Sequence, residues 1–168
     1  MNYISHYNSP LGSITLASDG YALIGLWFDG QKHLGTTLGD GYEEKPLPVF
    51  DRTAAWLDIC FGGRIPDFTP DIALHGTDFR REVWDILMTI PYGQTMTYGE
   101  IAEKIAQKRG VPSISAQAVG GAVGRNPISI IVPCHRVIGA NGSLTGYAGG
   151  LERKAALLKM EGVYNHHL

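Results

Sequence analysis

Cysteine is scarce in this chain: Cys60 and Cys134 are the only two among 168 residues. They allow one disulfide at most, which excludes a small scaffold held together by bridges, and a reducing compartment would keep both as thiols. No apolar run is long enough to cross a bilayer, and the first residues lack the basic-then-apolar layout of a signal peptide. The expected location is the cytoplasm, with no membrane partner. Charge is modest at 18% of residues while 44% are hydrophobic, which excludes disorder and describes an ordinary globular chain. No phosphate-binding glycine loop or dinucleotide fingerprint is present. Metal ligands are sparse as well. Cys60, His6, His33 and His75 fall at irregular spacing and His166 and His167 lie in a polar tail, so neither a metal nor a cofactor is expected.

The formal charge of −2 conceals a division. Residues 1–78 hold 4 Lys and Arg against 10 Asp and Glu, whereas residues 79–168 hold 10 against 6. One half is acidic and the other basic, which favours a nucleic-acid surface on the second half or, equally, ordinary solvated charge.

The length admits one large or two small domains. Ile14–Ala17 and Leu23–Phe28 flank Ser18-Asp19-Gly20-Tyr21, the pattern of a hairpin. A loop over residues 35–48 precedes an expected helix near Val49–Phe61, ended by Gly62-Gly63. Residues 66–76 read as a link. Thr77 or Asp78 then caps a helix whose Phe79, Val83, Ile86, Leu87 and Ile90 share a face, with Phe79 and Trp84 expected in the core, before Pro91-Tyr92-Gly93 stops it. Thr97-Tyr98-Gly99-Glu100 is a capping box that starts a helix with Ile101, Ala102, Ile105 and Ala106 inward, closed by Gly110 and Pro112. A further helix from about Ser115 carries Val119 and Val123 together with Gly120, Gly121 and Gly124. Each interior glycine costs about 1 kcal/mol relative to alanine, so three call for an offset: helix packing inside the domain, or close approach to another backbone. Two short helices joined by a Gly/Pro/Ser turn fit helix-turn-helix geometry.

The pentapeptide PCHRV sets Cys134 beside His135. A free thiol with a pKa of about 8.5 needs a positive or proton-accepting neighbour to become a nucleophile. The lead-in Ile128-Ser129-Ile130-Ile131-Val132 reads as a buried strand that Pro133 ends, placing Cys134 at a strand end. Taken alone, the pair is more often the mark of a bland buried thiol.

The flanking strings SAQAVGGAVGRNPISIIV and RVIGANGSLTGYAGGLERKAALLKMEG, with GTDFRREVWDILMTIPYGQTMTYGEIA upstream, resemble the 6-O-alkylguanine-DNA alkyltransferases, single-use repair proteins that take an alkyl group from DNA onto a cysteine. The specific resemblance covers roughly the C-terminal half. SPLGSITLASDGYALIGLWF matches only loosely. The resemblance implies an α/β chain of the α+β kind. Residues 1–75 would form a small ribonuclease H-like sheet domain, and residues 76–168 a mostly helical DNA-binding and alkyl-acceptor domain with a helix-turn-helix. It implies Cys134 as acceptor, a Glu161-His135-water-Cys134 relay that supports thiolate, Asn126 bracing the active-site loop, and Tyr98 donating to the flipped base. Val137, Tyr147 and Ala148 would contact the guanine, and Gln117, Ala118, Gly120, Gly121 and Arg125 would face DNA. The implied partner is double-stranded DNA containing alkylated guanine, approached through the minor groove by a monomer.

The family string carries an arginine before AVGG, where this chain has Gln117. Glutamine brings no charge to the groove, and Lys108-Arg109 in the preceding turn would restore some. Two other readings stand beside transfer: a sensor that recognises the lesion without reacting, whose family counterparts replace the cysteine of PCHR, and a cysteine hydrolase using the same Cys-His pair.

Overall fold

Runs rich in isoleucine, leucine and aromatic residues near the N-terminus build a sheet, and the capped, apolar-striped segments after residue 76 build helices around a second core. The computed structural model describes residues 1–32 and 34–163 and divides into two compact units. The first is Met1–His75 with Pro127–Ile131; the second is Gly76–Asn126 with the chain from Val132 onward. That residues 127–131 belong with the first unit is marked by no sequence signal.

In the first unit, β1 (Asn2–Ser9), β2 (Gly12–Ser18), β3 (Leu23–Phe28) and β4 (Tyr42–Glu44) form one sheet in the order β3-β2-β1-β4. The expected hairpin is β2–β3, antiparallel from Ile14↔Phe28 to Ser18↔Leu23, with Asp19 accepting from the Tyr21 and Ala22 amides in the turn. Strand β1, which the sequence pattern did not reveal, pairs antiparallel with β2, and β4 adds in parallel. Ile14, Leu16, Leu26, Trp27 and Phe28 are buried. The Trp27 ring lies over Gly25, where a Cβ would sit 2.0 Å from it, so only glycine fits. Helix α1 (Pro48–Phe61) ends at Gly62 as the pattern predicts, and begins one residue earlier than expected, on the proline assigned to the loop.

Residues 128–132 are not a strand. Only Ile128 bridges to β3, through Leu26 N–H to Pro127 C=O at 2.9 Å and Ser129 N–H to Leu26 C=O at 3.0 Å. The chain then turns, and Ile130 adopts a φ of 71°. The run is apolar because it is buried, not because it pairs, and prolines at 127 and 133 leave it little ladder to join. A β-branched residue at positive φ costs about 1–3 kcal/mol, and burial of Ile128, Ile130 and Ile131 holds it there.

The second unit holds α2 (Asp78–Leu87), α3 (Tyr98–Arg109), α4 (Ala116–Gly124) and α5 (Leu151–Met160), plus a two-strand parallel pair, β5 (Met96–Thr97) with β6 (Val137–Ile138). Thr77 caps α2, and both bonds of the Thr97–Glu100 capping box are made at α3. Trp84 is buried and donates its indole N–H to the Ala122 carbonyl at 2.9 Å, tying α2 to α4. Phe79, expected in the core, is only half-buried: the Arg109 guanidinium lies over its ring. Gly110 ends α3 in the left-handed conformation (φ 68°), and Ser115 caps α4. No helix among the described residues is long and apolar enough to cross a membrane.

Candidate active site

Cys134–Arg136 form one 3-10 turn, with Cys134 N–H donating to Val132 C=O at 2.8 Å and Arg136 N–H to Pro133 C=O at 3.0 Å. Val137 follows directly into β6 and pairs with Met96, which precedes α3, so the β5–β6 pair fixes the turn beside the start of α3 and hence beside Tyr98. From the other side comes α5, whose Lys154, Leu157 and Leu158 are all buried, with Glu161 capping its end. These four residues fall at i, i+3, i+4 and i+7, so one helical stripe delivers two ionisable groups to the cysteine turn.

Cys134 is buried, and His135 beside it is 0% exposed. The His135 Nε2 lies 2.9 Å from Glu161 Oε2. An ionised carboxylate can only accept, so the imidazole proton sits on Nε2 and the lone pair on Nδ1, a buried atom without a hydrogen-bond partner among the described residues. Asn126 is buried and donates its amide to the Val132 carbonyl at 2.8 Å, closing the mouth of the 127–131 excursion; its side chain also hydrogen-bonds the Cys134 thiol. The Tyr98 hydroxyl donates to the Thr145 carbonyl at 2.8 Å. Tyr147 and Ala148 stand half-buried on the same 139–150 loop, and Val137 is buried.

Burial dominates the electrostatics. It pushes the Cys134 thiol up to about 11, against the Asn126 hydrogen bond and the Lys154 charge. It also holds the His135 imidazole below its ordinary value, despite Glu161. The relay therefore does not favour a resting thiolate, contrary to the expectation: burial favours the neutral thiol and the neutral imidazole. For Glu161, burial would raise the carboxyl, but hydrogen bonds and charges from His135 and Arg136 outweigh it and bring it down to about 2. Burial raises the Tyr98 phenol, which keeps it a neutral donor.

Two residues with clear places here were missed or left without a role by sequence reasoning. Lys154 is 0% exposed and donates to the Thr145 and Gly146 carbonyls at 3.0 and 3.1 Å, holding the 139–150 loop; burial lowers its ammonium to about 8. The signal was available, since a lysine three and four residues before Leu157 and Leu158 lies on the apolar face. Arg136 makes a bidentate pair with Glu161, both bonds at 2.8 Å.

On α4, Gln117, Ala118, Gly121 and Arg125 are exposed along one face, and Gly120 is half-buried with the Tyr98 ring 3.8 Å from where its Cβ would lie. A Cβ at Gly121 or Gly124 would meet nothing within 4 Å. Packing inside this chain therefore does not require those two glycines. Arg109, expected to restore positive charge to the turn, is bound through Nε and Nη2 to Glu82 at 3.0 and 2.9 Å, so its charge is already answered; Lys108 stays exposed. Cys60 is buried at the end of α1. His33, His166 and His167 lie outside the described residues.

The family model for the DNA-binding domain of 6-O-methylguanine DNA methyltransferase matches residues 78–163. A methylated-DNA–protein-cysteine methyltransferase of Mycobacterium bovis is 46% identical over 165 residues, covering 93% of this chain and 92% of its own. A protein of the same name from Methanosarcina acetivorans is 45% identical, covering 95% and 98%. The crystal structure of Mycobacterium tuberculosis OGT in complex with DNA superposes with a TM-score of 0.83 at 44% identity, covering 95% of this chain and 92% of that one.

Proposed function

This chain belongs to the methylated-DNA–protein-cysteine methyltransferase family, and from that premise we propose that Cys134 is the acceptor, with His135, Glu161, Asn126 and Tyr98 serving its reaction. The protein repairs DNA by moving a methyl or other alkyl group from a base directly onto its own cysteine. The observation that carries the assignment is the constellation around Cys134: a buried thiol, bonded by Asn126, next to an imidazole whose free lone pair is set by Glu161.

In the 6-O-alkylguanine, the alkyl carbon is bonded to oxygen. Sulfur attacks that carbon, a C–S bond forms, and the C–O bond breaks with its electron pair going to the guanine. Because the thiol rests protonated, its proton leaves as sulfur attacks, passing to His135 Nδ1 through a bridging water, while Glu161 stabilises the imidazolium that forms. The departing guanine anion takes a proton from solvent at its ring nitrogen, balancing the one passed to His135, with Tyr98 donating a hydrogen bond to the ring as charge develops. The product thioether has no easy leaving route, so each molecule acts once. In-line approach needs the base out of the stack, and Val137, Tyr147 and Ala148 wall the space that receives it.

The α3–turn–α4 segment acts as a helix-turn-helix that sets Gln117, Ala118, Gly120, Gly121 and Arg125 against the minor groove of double-stranded DNA. The protein works as a monomer. Support comes from the open face of α4, whose small residues permit a duplex backbone to come close. The sheet unit takes the ribonuclease H-like form. The sensor reading is disfavoured by the retained Cys134.

The test is Cys134→Ser with a duplex labelled at the 6-O-methyl group. The variant should bind DNA and accept no label, because a hydroxyl is a far poorer nucleophile near neutral pH. Label accepted at wild-type rate would remove Cys134 from the assignment.

A further inference from the structure

Glu161 is held by more than the histidine it orients. Its Oε1 accepts from Arg136 Nε, and its Oε2 is shared between Arg136 Nη2 and His135 Nε2, at 2.8 and 2.9 Å. The remaining arm of Arg136, Nη1, donates to the Ile90 carbonyl at 2.7 Å, and the guanidinium lies over the Tyr92 ring. Tyr92 in turn donates its hydroxyl to the Met160 carbonyl at 3.2 Å, one residue before Glu161. Gly93, at a φ of 81°, brings the same turn so close to the Glu161 carbonyl that a Cβ there would lie 3.3 Å from it. Residues 90–93, Arg136 and the end of α5 thus form one closed set of contacts around a carboxylate that is 1% exposed.

We propose that Arg136, anchored on the 90–93 turn, is a positioning residue that aims Glu161 at His135 and shares its charge, so that His135 enters the transfer as a neutral base rather than as an imidazolium. A carboxylate serving imidazole alone would favour the protonated ring, which cannot take the thiol proton. Burial is the larger influence toward the neutral ring, and a fixed guanidinium on the same oxygen adds to it by offsetting the carboxylate's attraction, while the bidentate fork keeps the oxygen in line with Nε2. Lysine offers the charge without the fork and methionine offers neither, which separates the two contributions. The inference rests on the transfer reading only in naming the proton that His135 receives.

The charged groups that act on His135 are Glu161 and Lys154 from α5 and Arg136 from its own turn, while the neighbouring Cys134 thiol lies near Lys154 and Tyr98 of α3. Burial lowers the Lys154 ammonium to about 8, so the informative region is the acid limb of the pH profile. Single-turnover transfer from a 6-O-methylguanine duplex is measured against pH for the wild type, Arg136→Met and Arg136→Lys. In Arg136→Met the acid limb should move up by about one pH unit, slowing transfer about tenfold on the acid side with little change on the alkaline side. Arg136→Lys should keep the limb in place while lowering the rate throughout. A uniform loss in Arg136→Met at every pH would reduce Arg136 to a structural brace and overturn the proposal. Should Arg136→Met fail to fold, nitrogen-15 NMR titration of the His135 imidazole in the wild type and in Arg136→Gln decides. Burial favours the neutral ring in both, so a higher midpoint in Arg136→Gln is the expected result, and an unchanged midpoint would overturn the proposal. That measurement uses no DNA, so a failure of transfer to Cys134 would strike the repair assignment separately.

Discussion

Gly121→Ala separates a glycine kept for packing from one kept for a partner. An interior glycine costs a helix about 1 kcal/mol relative to alanine, and Gly121 sits in the body of α4 at an ordinary helical position where an added Cβ would meet nothing within 4 Å. The substitution should therefore stabilise the free protein by about 1 kcal/mol, raising Tm by roughly 2–4 °C for a chain of this size. If the exposed face of α4 meets a DNA backbone, the new methyl stands between the two surfaces, and affinity should fall about tenfold, equivalent to about 1.4 kcal/mol. Thermal melts read the first quantity, and fluorescence anisotropy with a labelled duplex at fixed salt reads the second. Higher stability with unchanged affinity would refute the docking of this face. Lower stability would refute the packing argument itself.

Further outcomes follow from other sites. Glu161 is depressed from 4.5 to about 2, so its ionisation contributes stability that is present above about pH 4.5 and lost as pH falls through about 2. Glu161→Gln should cost about 3 kcal/mol at neutral pH, with about 2 kcal/mol of that difference gone by about pH 3; a urea-derived difference that is flat with pH would contradict this. Thr97→Ala removes the capping-box acceptor of α3 and should lower stability by about 1 kcal/mol in urea titrations, and an unchanged midpoint would show the cap to be redundant. Gln117→Arg adds a cation to an exposed site on α4. It should tighten DNA binding and steepen the log affinity against log salt slope by about 0.9; an unaltered slope would show that position 117 makes no phosphate contact.

The helices of the second unit were legible because their signals are local. A threonine three residues before a glutamate, an apolar face at helical spacing and a glycine stop are complete within a dozen residues, and all are present in α3. The β2–β3 hairpin was legible for the same reason. Ile128–Val132 misled because four apolar residues around one serine record burial without recording the backbone path, and here the chain turns, with Ile130 at positive φ. Strand β1 escaped because its residues alternate weakly in burial and its partner β2 had already been matched to β3.

In the site, residue identities were more legible than their charge states. The motif gave Cys134 and His135, while Glu161 and Asn126 were named only through the family resemblance; the fold sets all four in one cluster. The expected thiolate did not follow, because the desolvation that raises the thiol and lowers the imidazole depends on how deeply the turn is buried. Lys154 shows the opposite lesson. Its place on the apolar stripe of α5 was written in the spacing, but a lysine among charged neighbours invites the assumption of solvent exposure. Arg109 was counted as free charge, and only the fold brings Glu82 of α2 against it.

The most direct measurement is intact-protein and peptide mass spectrometry after mixing the protein with a duplex that contains a single 6-O-methylguanine. One methyl per protein molecule, carried on the peptide that contains Cys134, is the predicted result. A duplex that binds while the protein mass stays constant, or a methyl found on another residue, would contradict it.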